Sequence, residues 1–233
     1  MNALLLETAT EICSVAIWQD GRSLSTISAS EPFQHAAMLN VYIQQALEEA
    51  HLQADQLDII GLSQGPGSYT SLRVGAAMAK GMVFALPGLK LYPLLSLRAL
   101  ARSAYTNDWS GPLISTQNSR RDEVYACLFN DAEELERFES SPKAMSVDDS
   151  IFKQFFDEHP RIIICGSGSN KLTQALGRPE DVSLEDHLPI ATHLGPELDA
   201  VLGTGAQPAD IASFEPLYLK PPFVTIPKKR SLL

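Results

Sequence analysis

The 233-residue chain carries a formal net charge of −10, with 45% hydrophobic and 20% charged residues, which is the balance of a soluble globular protein able to build real cores. That charge argues against strong independent binding of nucleic acid, whose affinity rests on neutralised phosphates, and leaves open contact with RNA inside a larger assembly. Three widely spaced cysteines in apolar settings (Cys13, Cys127, Cys165), no basic leader, and no apolar run near the roughly 20 residues of a bilayer span predict a cytoplasmic protein with reduced thiols and no membrane contact.

Ala3–Leu6 reads as a short apolar strand, and Cys13–Trp18 alternates, with Val15 and Ile17 against Ser14 and Ala16. Asp20-Gly21 is a hairpin signal into a third strand, Ser23–Ser28. From about Pro32 to Ala50, residues Leu39, Ile43, Ala46, Leu47 and Ala50 recur at helical spacing. Leu57–Ser63 reads as a buried strand, followed by a glycine-rich loop, a small-residue helix over 71–86, a strand at Lys90–Pro93 and a helix at Ser96–Ser103. The second half repeats the order. Pro112–Thr116 is an apolar strand, and Glu123–Phe129 alternates, with Val124, Ala126 and Leu128 on one face and Tyr125 and Cys127 on the other. Asn130-Asp131 offers a turn into a third strand at Glu134–Glu139; a helix over Val147–Phe156 and a buried strand, Arg161–Cys165, ending in Gly166-Ser167-Gly168, come next.

This repetition predicts an α/β protein of two ribonuclease-H-like lobes, the pattern of the actin, sugar-kinase and Hsp70 ATPase (ASKHA) superfamily. The lobes are expected at 1–105 and 106–219, joined by a polar linker near Thr106–Gly111, with 220–233 an extended tail rich in proline and basic residues.

The most informative stretch is Gly65 to Lys80, G-P-G-S-Y-T-S-L-R-V-G-A-A-M-A-K. Pro66 between two glycines forces a turn, and Ser68, Thr70 and Ser71 offer oxygens to the orphan N–H groups at a helix start. Gly65, Gly67, Ser68 and Thr70 therefore form either a phosphate cradle at a helix N-terminus or a tight turn that sets the helix angle. The loop has neither the G-x-x-x-x-G-K-[ST] spacing nor a G-x-S-x-G nucleophile elbow. Within the helix, Gly75 and Ala79 share one face and Ala77 and Gly81 another, with Val74, Met78 and Met82 alongside. One of these faces covers the sheet and the other is free. On the preceding helix Leu39, Ile43 and Leu47 point inward, with Met38 and Tyr42 elsewhere. Either both helices are sandwiched in the core, or Met38, Tyr42, Val74, Ala77, Met78, Gly81 and Met82 form a helix–helix interface between subunits.

These residues resemble the bacterial TsaB (YeaZ) family. The resemblance covers most of the chain: Leu5-Leu6-Glu7-Thr8-Ala9-Thr10 at the opening, His35 with Leu39 following, and Gly65 to Gly75 as G-P-G-S-[FY]-T-x-L-R-[VI]-G. Ala79-Lys80-Gly81, Leu95-Ser96-Leu97-x-Ala99-Leu100-Ala101, Arg120-x-x-Glu123-Val124-Tyr125 and Pro216-x-Tyr218-Leu219-Lys220 continue it. Ser71 stands where the family often has glycine, and Asn118 where it often has aspartate, which weakens any carboxylate role there.

The resemblance implies a non-catalytic scaffold, with no tightly bound cofactor of its own, for threonylcarbamoyl transfer to adenosine 37 of tRNAs that read ANN codons. It implies docking of the catalytic paralogue TsaD through the helices at 35–50 and 71–86, TsaE in a ternary complex, a homodimer when alone, tRNA contact only through the complex, and ATP with Mg²⁺ only there. The residues agree with a missing catalytic apparatus. Glu7-Thr8-Ala9-Thr10-Glu11 lacks a glycine that would let backbone amides reach a phosphate, although Glu7 could hold hydrated Mg²⁺. His35 is followed at i+4 by Leu39, so a His-x-x-x-His metal pair is absent and His35 reads as a surface or capping residue. The alternatives are an autonomous kinase-like ATPase using Glu7, Thr8 and Thr10, and an M22-type metallopeptidase. Lys220, Lys228, Lys229 and Arg230 read as a solvated basic tail or a tRNA contact.

Overall fold

A computed structural model describes residues 1–105, 109–177, 182–184 and 187–220. Strands β1 (Asn2–Glu7), β2 (Ser14–Gln19) and β3 (Arg22–Ser28) form an antiparallel meander, and β4 (Ile59–Gly65) and β5 (Lys90–Leu95) add in parallel, giving the order β3-β2-β1-β4-β5. β1 is apolar from Ala3 to Leu6 because it is central and covered on both faces. Asp20 and Gly21 both take positive φ (49° and 82°), as a two-residue hairpin between Gln19 and Arg22 requires. The second sheet, β6 (Leu113–Asn118), β7 (Glu123–Phe129), β8 (Lys143–Ser146), β9 (Ile163–Cys165) and β10 (Val182–Leu184), repeats that order as β8-β7-β6-β9-β10. The fold is thus a duplicated α/β architecture of two ribonuclease-H-like lobes, as expected.

One element departs from expectation. Glu134–Glu139 does not form the third strand of the second sheet. The Asp131 carboxylate accepts the Glu134 N–H at 2.8 Å and starts helix α4 (Ala132–Glu136), with Glu133 and Glu134 in its positive first turn. The third strand comes later, as β8.

Helices α1 (His35–Glu49) and α2 (Tyr69–Ala85) cover one face of the first sheet, where Leu39, Ile43, Ala76 and Ala79 meet Leu4, Leu6, Ile17, Ile60 and Leu62. The other face (Ala3, Leu5, Ala16, Trp18) is covered from the far end of the chain, by Ala191 of a 3₁₀ turn and by Leu194 and Leu198 of α7 (Leu194–Gly203). The chain then stays with the first sheet: the Ala209 N–H donates to Leu91 at 2.8 Å, Phe214 enters the α1/α2 core, and the Leu217 N–H donates to Gln64 at 2.7 Å. Residues 191–217 therefore pack on the first lobe and not on the second, as the expected unit 106–219 would have had it, because an apolar sheet face must be covered by something. Of the tail, 221–233 lies outside the described residues, including Lys228, Lys229 and Arg230.

Helix α3 (Ser96–Ala104) stands between the lobes. Its Ala99 joins the first sheet's core, while Leu97, Leu100, Ala101 and Ala104 meet Leu113, Cys127, Phe129 and Cys165 of the second. In the second lobe, α5 (Ser150–Glu158) buries Phe152, Phe155 and Phe156, and α6 (Ser169–Leu176) buries Leu172, against the other sheet face with Val124 and Ala126. Cys13, Cys127 and Cys165 are free and buried, and burial pushes the Cys127 thiol up to about 12. Among the described residues no helix is long and apolar enough to cross a membrane.

Candidate functional site

Two features compete for function: the cleft between the lobes and the outer face of α1 and α2. The cleft, about 680 Å³, is lined by the β1–β2 turn, the glycine loop, the β6–β7 turn and residues 217–220. Its phosphate-type turn is occupied by the chain itself. The Ala9 carbonyl accepts the Ser68 N–H at 2.8 Å and the Gln117 amide at 3.0 Å, which ties the glycine loop and the second lobe to one backbone atom. A Cβ on Gly67 would stand 2.1 Å from that carbonyl oxygen, so only glycine allows the approach. The Ser68 hydroxyl caps α2, accepting from the Ser71 N–H at 3.4 Å and the Ser71 hydroxyl at 3.0 Å. Gly65 takes φ +109° beneath residue 217, and Thr70 is exposed at the cleft rim.

The residues singled out for phosphate or Mg²⁺ are committed elsewhere. Glu7 is fully buried, its carboxylate accepts the Ala9 N–H at 2.7 Å, and burial holds its pKa above the usual range. The Thr8 N–H donates to the Ser63 hydroxyl at 2.8 Å, and the Thr10 hydroxyl donates to the Ile12 carbonyl at 3.0 Å. His35 is not the surface or capping residue expected: it is 3% exposed, hydrogen-bonded to the Thr10 backbone beneath the turn, and burial lowers its pKa. The apolar surround of the α1 start explains this better than a capping role. Leu39, at i+4, is in the core. Among the described residues, no three His, Cys, Asp or Glu side chains gather as a metal site.

The helix face is built differently. Gly75, Ala76 and Ala79 are buried, and a Cβ on Gly75 would lie 2.3 Å from the Thr8 hydroxyl. Ala77 and Gly81 point outward, with open space beside Gly81. Val74, Met78 and Met82 are half-buried along this stripe, and Phe84 beyond it is 86% exposed. On the neighbouring α1, Met38 is half-buried and Val41 exposed. Tyr42 differs from its expected place: it is buried in the α1/α2 core with Ile43, so it supports the face from beneath and presents little surface.

Two clusters escaped the sequence reading. Arg98 of α3 and Glu197 of α7, each 2% exposed, pair at 3.0 Å; Arg102 reaches the other Glu197 oxygen at 3.0 Å and also pairs with Glu136. The partners are 99 residues apart, and no local pattern links them. Arg73 is the second case. Its guanidinium lies 4.2 Å from the centre of the Tyr69 ring and donates to the Tyr218 hydroxyl at 3.3 Å, while the two tyrosine rings stand 4.8 Å apart. The motif held all three residues, but not their meeting.

A family model described as "TsaD: tRNA N6-adenosine threonylcarbamoyltransferase" matches residues 30–158. The tRNA threonylcarbamoyladenosine biosynthesis protein TsaB of Haemophilus influenzae is 31% identical over 125 residues, covering 54% of this chain and 52% of that protein. A tRNA N6-adenosine threonylcarbamoyltransferase of Prosthecochloris aestuarii is 31% identical over 46% of this chain and 35% of its own. The matched stretch thus spans about half the length of the TsaB relative and less of the transferase. The crystal structure of YeaZ from Pseudomonas aeruginosa superposes with a TM-score of 0.74 at 24% identity, over 94% of this chain and 99% of that one.

Proposed function

The chain belongs to the TsaB (YeaZ) family of tRNA threonylcarbamoyladenosine biosynthesis proteins, and from that premise we propose that it serves the pathway as a non-catalytic docking subunit. Its partner in this reading is the tRNA N6-adenosine threonylcarbamoyltransferase, TsaD, with TsaE joining the pair and tRNA reached only through the complex. The observation that carries the reading is the outward stripe of α2, where Ala77 and Gly81 leave room for another backbone beside Val74, Met78 and Met82. Glycine in a helix interior costs about 1 kcal/mol relative to alanine, and none of the described residues uses the space at Gly81. A partner helix would. Met38 and Val41 extend the face across α1, and the same surface would serve a homodimer when the partner is missing.

The rival reading, a kinase-like ATPase, meets a turn whose Thr8 and Ala9 N–H groups are already donated to Ser63 and Glu7, and whose Glu7 is buried. ATP with Mg²⁺ then belongs to the complex, and this subunit holds no cofactor tightly by itself. The test is light scattering after gel filtration with the transferase of the same organism. Wild type should give a 1:1 complex, and Ala77→Arg and Met78→Glu should lose it with an unchanged melting temperature. Full association and full tRNA modification by both variants would sink the reading; tight ATP binding with turnover by the isolated chain would favour the rival.

A further inference from the structure

We infer that Arg73 is a pre-formed cationic anchor that sets the register of the partner helix, and that the partner meets it with a carboxylate. The inference rests on the docking reading and adds a specificity-determining residue to it. On α2, positions 73, 77 and 81 follow one another at i, i+4 and i+8, so Arg73 continues the outward stripe of Ala77 and Gly81. A small, smooth stripe bordered by methionines accepts a helix in more than one register, because such side chains repack easily. A single charged group at one end removes that degeneracy.

Arg73 is held for this role by one residue a turn away on its own helix and one residue 145 positions distant. Tyr69 supports the guanidinium face at 4.2 Å, the Tyr218 hydroxyl accepts from Nε at 3.3 Å, and Tyr218 is itself fixed by the neighbouring Leu217 N–H on Gln64 at 2.7 Å. This hold uses Nε and one ring face and leaves the outer fork of the guanidinium for a bidentate carboxylate. Among the described residues no carboxylate forms an ion pair with it, and Glu215 acts on it only from beyond ion-pair distance. Helix α2 contains no Asp or Glu, so α2 of a second copy would bring nothing to meet the cation, and in a homodimer through this face only Glu48 and Glu49 at the far end of α1 could do so. The Tyr69 and Tyr218 contacts narrow the side chain's conformations before docking, which lowers the ordering cost of binding.

The test uses the full chain and the transferase of the same organism in calorimetric titration, with Arg73→Gln, Tyr218→Phe and Ala77→Arg. Arg73→Gln should weaken the complex by roughly tenfold or more and flatten its salt dependence, and Tyr218→Phe should weaken it by a few fold. Binding by Arg73→Gln within twofold of wild type, with Ala77→Arg still disruptive, would overturn the anchor and keep the docking face. Loss with Arg73→Gln but none with Tyr218→Phe would overturn the pre-formed hold. Unaltered binding by Ala77→Arg would instead overturn the docking reading itself. Melting curves of each variant separate these outcomes from misfolding.

Discussion

Replacing Glu197 with alanine removes the shared counter-ion of two arginines where the lobes meet. Arg98 is 2% exposed and loses its carboxylate partner, while keeping the Leu135 carbonyl at 2.8 Å and the Phe138 ring at 4.0 Å. Arg102 is 13% exposed and keeps Glu136. Breaking a buried pair from one side costs about 3–5 kcal/mol, and the retained contacts of Arg98 place this case near the lower end, about 3 kcal/mol. Against a typical total of roughly 5–15 kcal/mol that is a large loss. Removing both charges with Arg98→Met and Glu197→Leu should cost less than the single change, since no unpaired ion remains in the interior. The assay is urea unfolding followed by Trp18 emission. The Trp18 indole donates to Asp199 of α7 at 3.0 Å, so its signal reports the element that carries Glu197. A loss below about 1 kcal/mol for Glu197→Ala, or a double variant less stable than the single one, would refute the argument.

Gly67→Ala should destabilise by about 2 kcal/mol, because its Cβ meets a backbone carbonyl that cannot rotate away, whereas Gly81→Ala should raise thermal stability by about 0.5–1 kcal/mol and weaken partner binding. Differential scanning calorimetry of both variants checks the contrast. Acid should act through two buried groups of opposite sign. His193 has its pKa pushed down to about 4 by burial, with His187 beside it, so the unfolded chain binds the proton first and stability falls as pH drops from about 6.5 to about 4, by up to about 3 kcal/mol. Glu7 has its pKa raised by burial, so the folded state binds its proton more tightly and acidification through that pKa adds stability. Denaturant midpoints measured against pH should show His193→Gln flattening the acid-side loss, and Glu7→Gln gaining most near neutral pH.

The first lobe is legible in the sequence because each element there follows a local rule. β2 alternates, Asp20-Gly21 sits in a two-residue hairpin, and α2 carries its cap at Ser68. The two faces of α2 are legible for the same reason: a small residue that must touch a sheet and one that must not lie two positions apart. Legibility fails where a local cap outweighs analogy, where an element is too short, or where a long-range contact decides. Glu134–Glu139 looked like a strand by analogy with the first lobe, yet one carboxylate at Asp131 decided for helix. β8 is four residues long and carries too little pattern to announce itself. Tyr42 and His35 are polar enough to suggest surface, and only the surrounding core and the overlying turn bury them. The Arg98–Glu197–Arg102 cluster and the Tyr218 hold on Arg73 join residues about a hundred or more apart, beyond any periodicity.

The covering of the first sheet by Ala191, Leu194 and Leu198 has a consequence for synthesis. β1, β2, β4 and β5 are complete once residue 95 has left the ribosome, but their second face, with Leu5, Ala16 and Trp18, stays bare until α7 follows about a hundred residues later. At roughly 5–20 residues per second that interval lasts on the order of 5–20 s. For that time the nascent chain displays a greasy sheet surface to its surroundings, and a transcript broken before codon 190 would display it permanently. Quality control of this protein thus falls on α7, whose arrival turns a sticky half-product into a covered sheet.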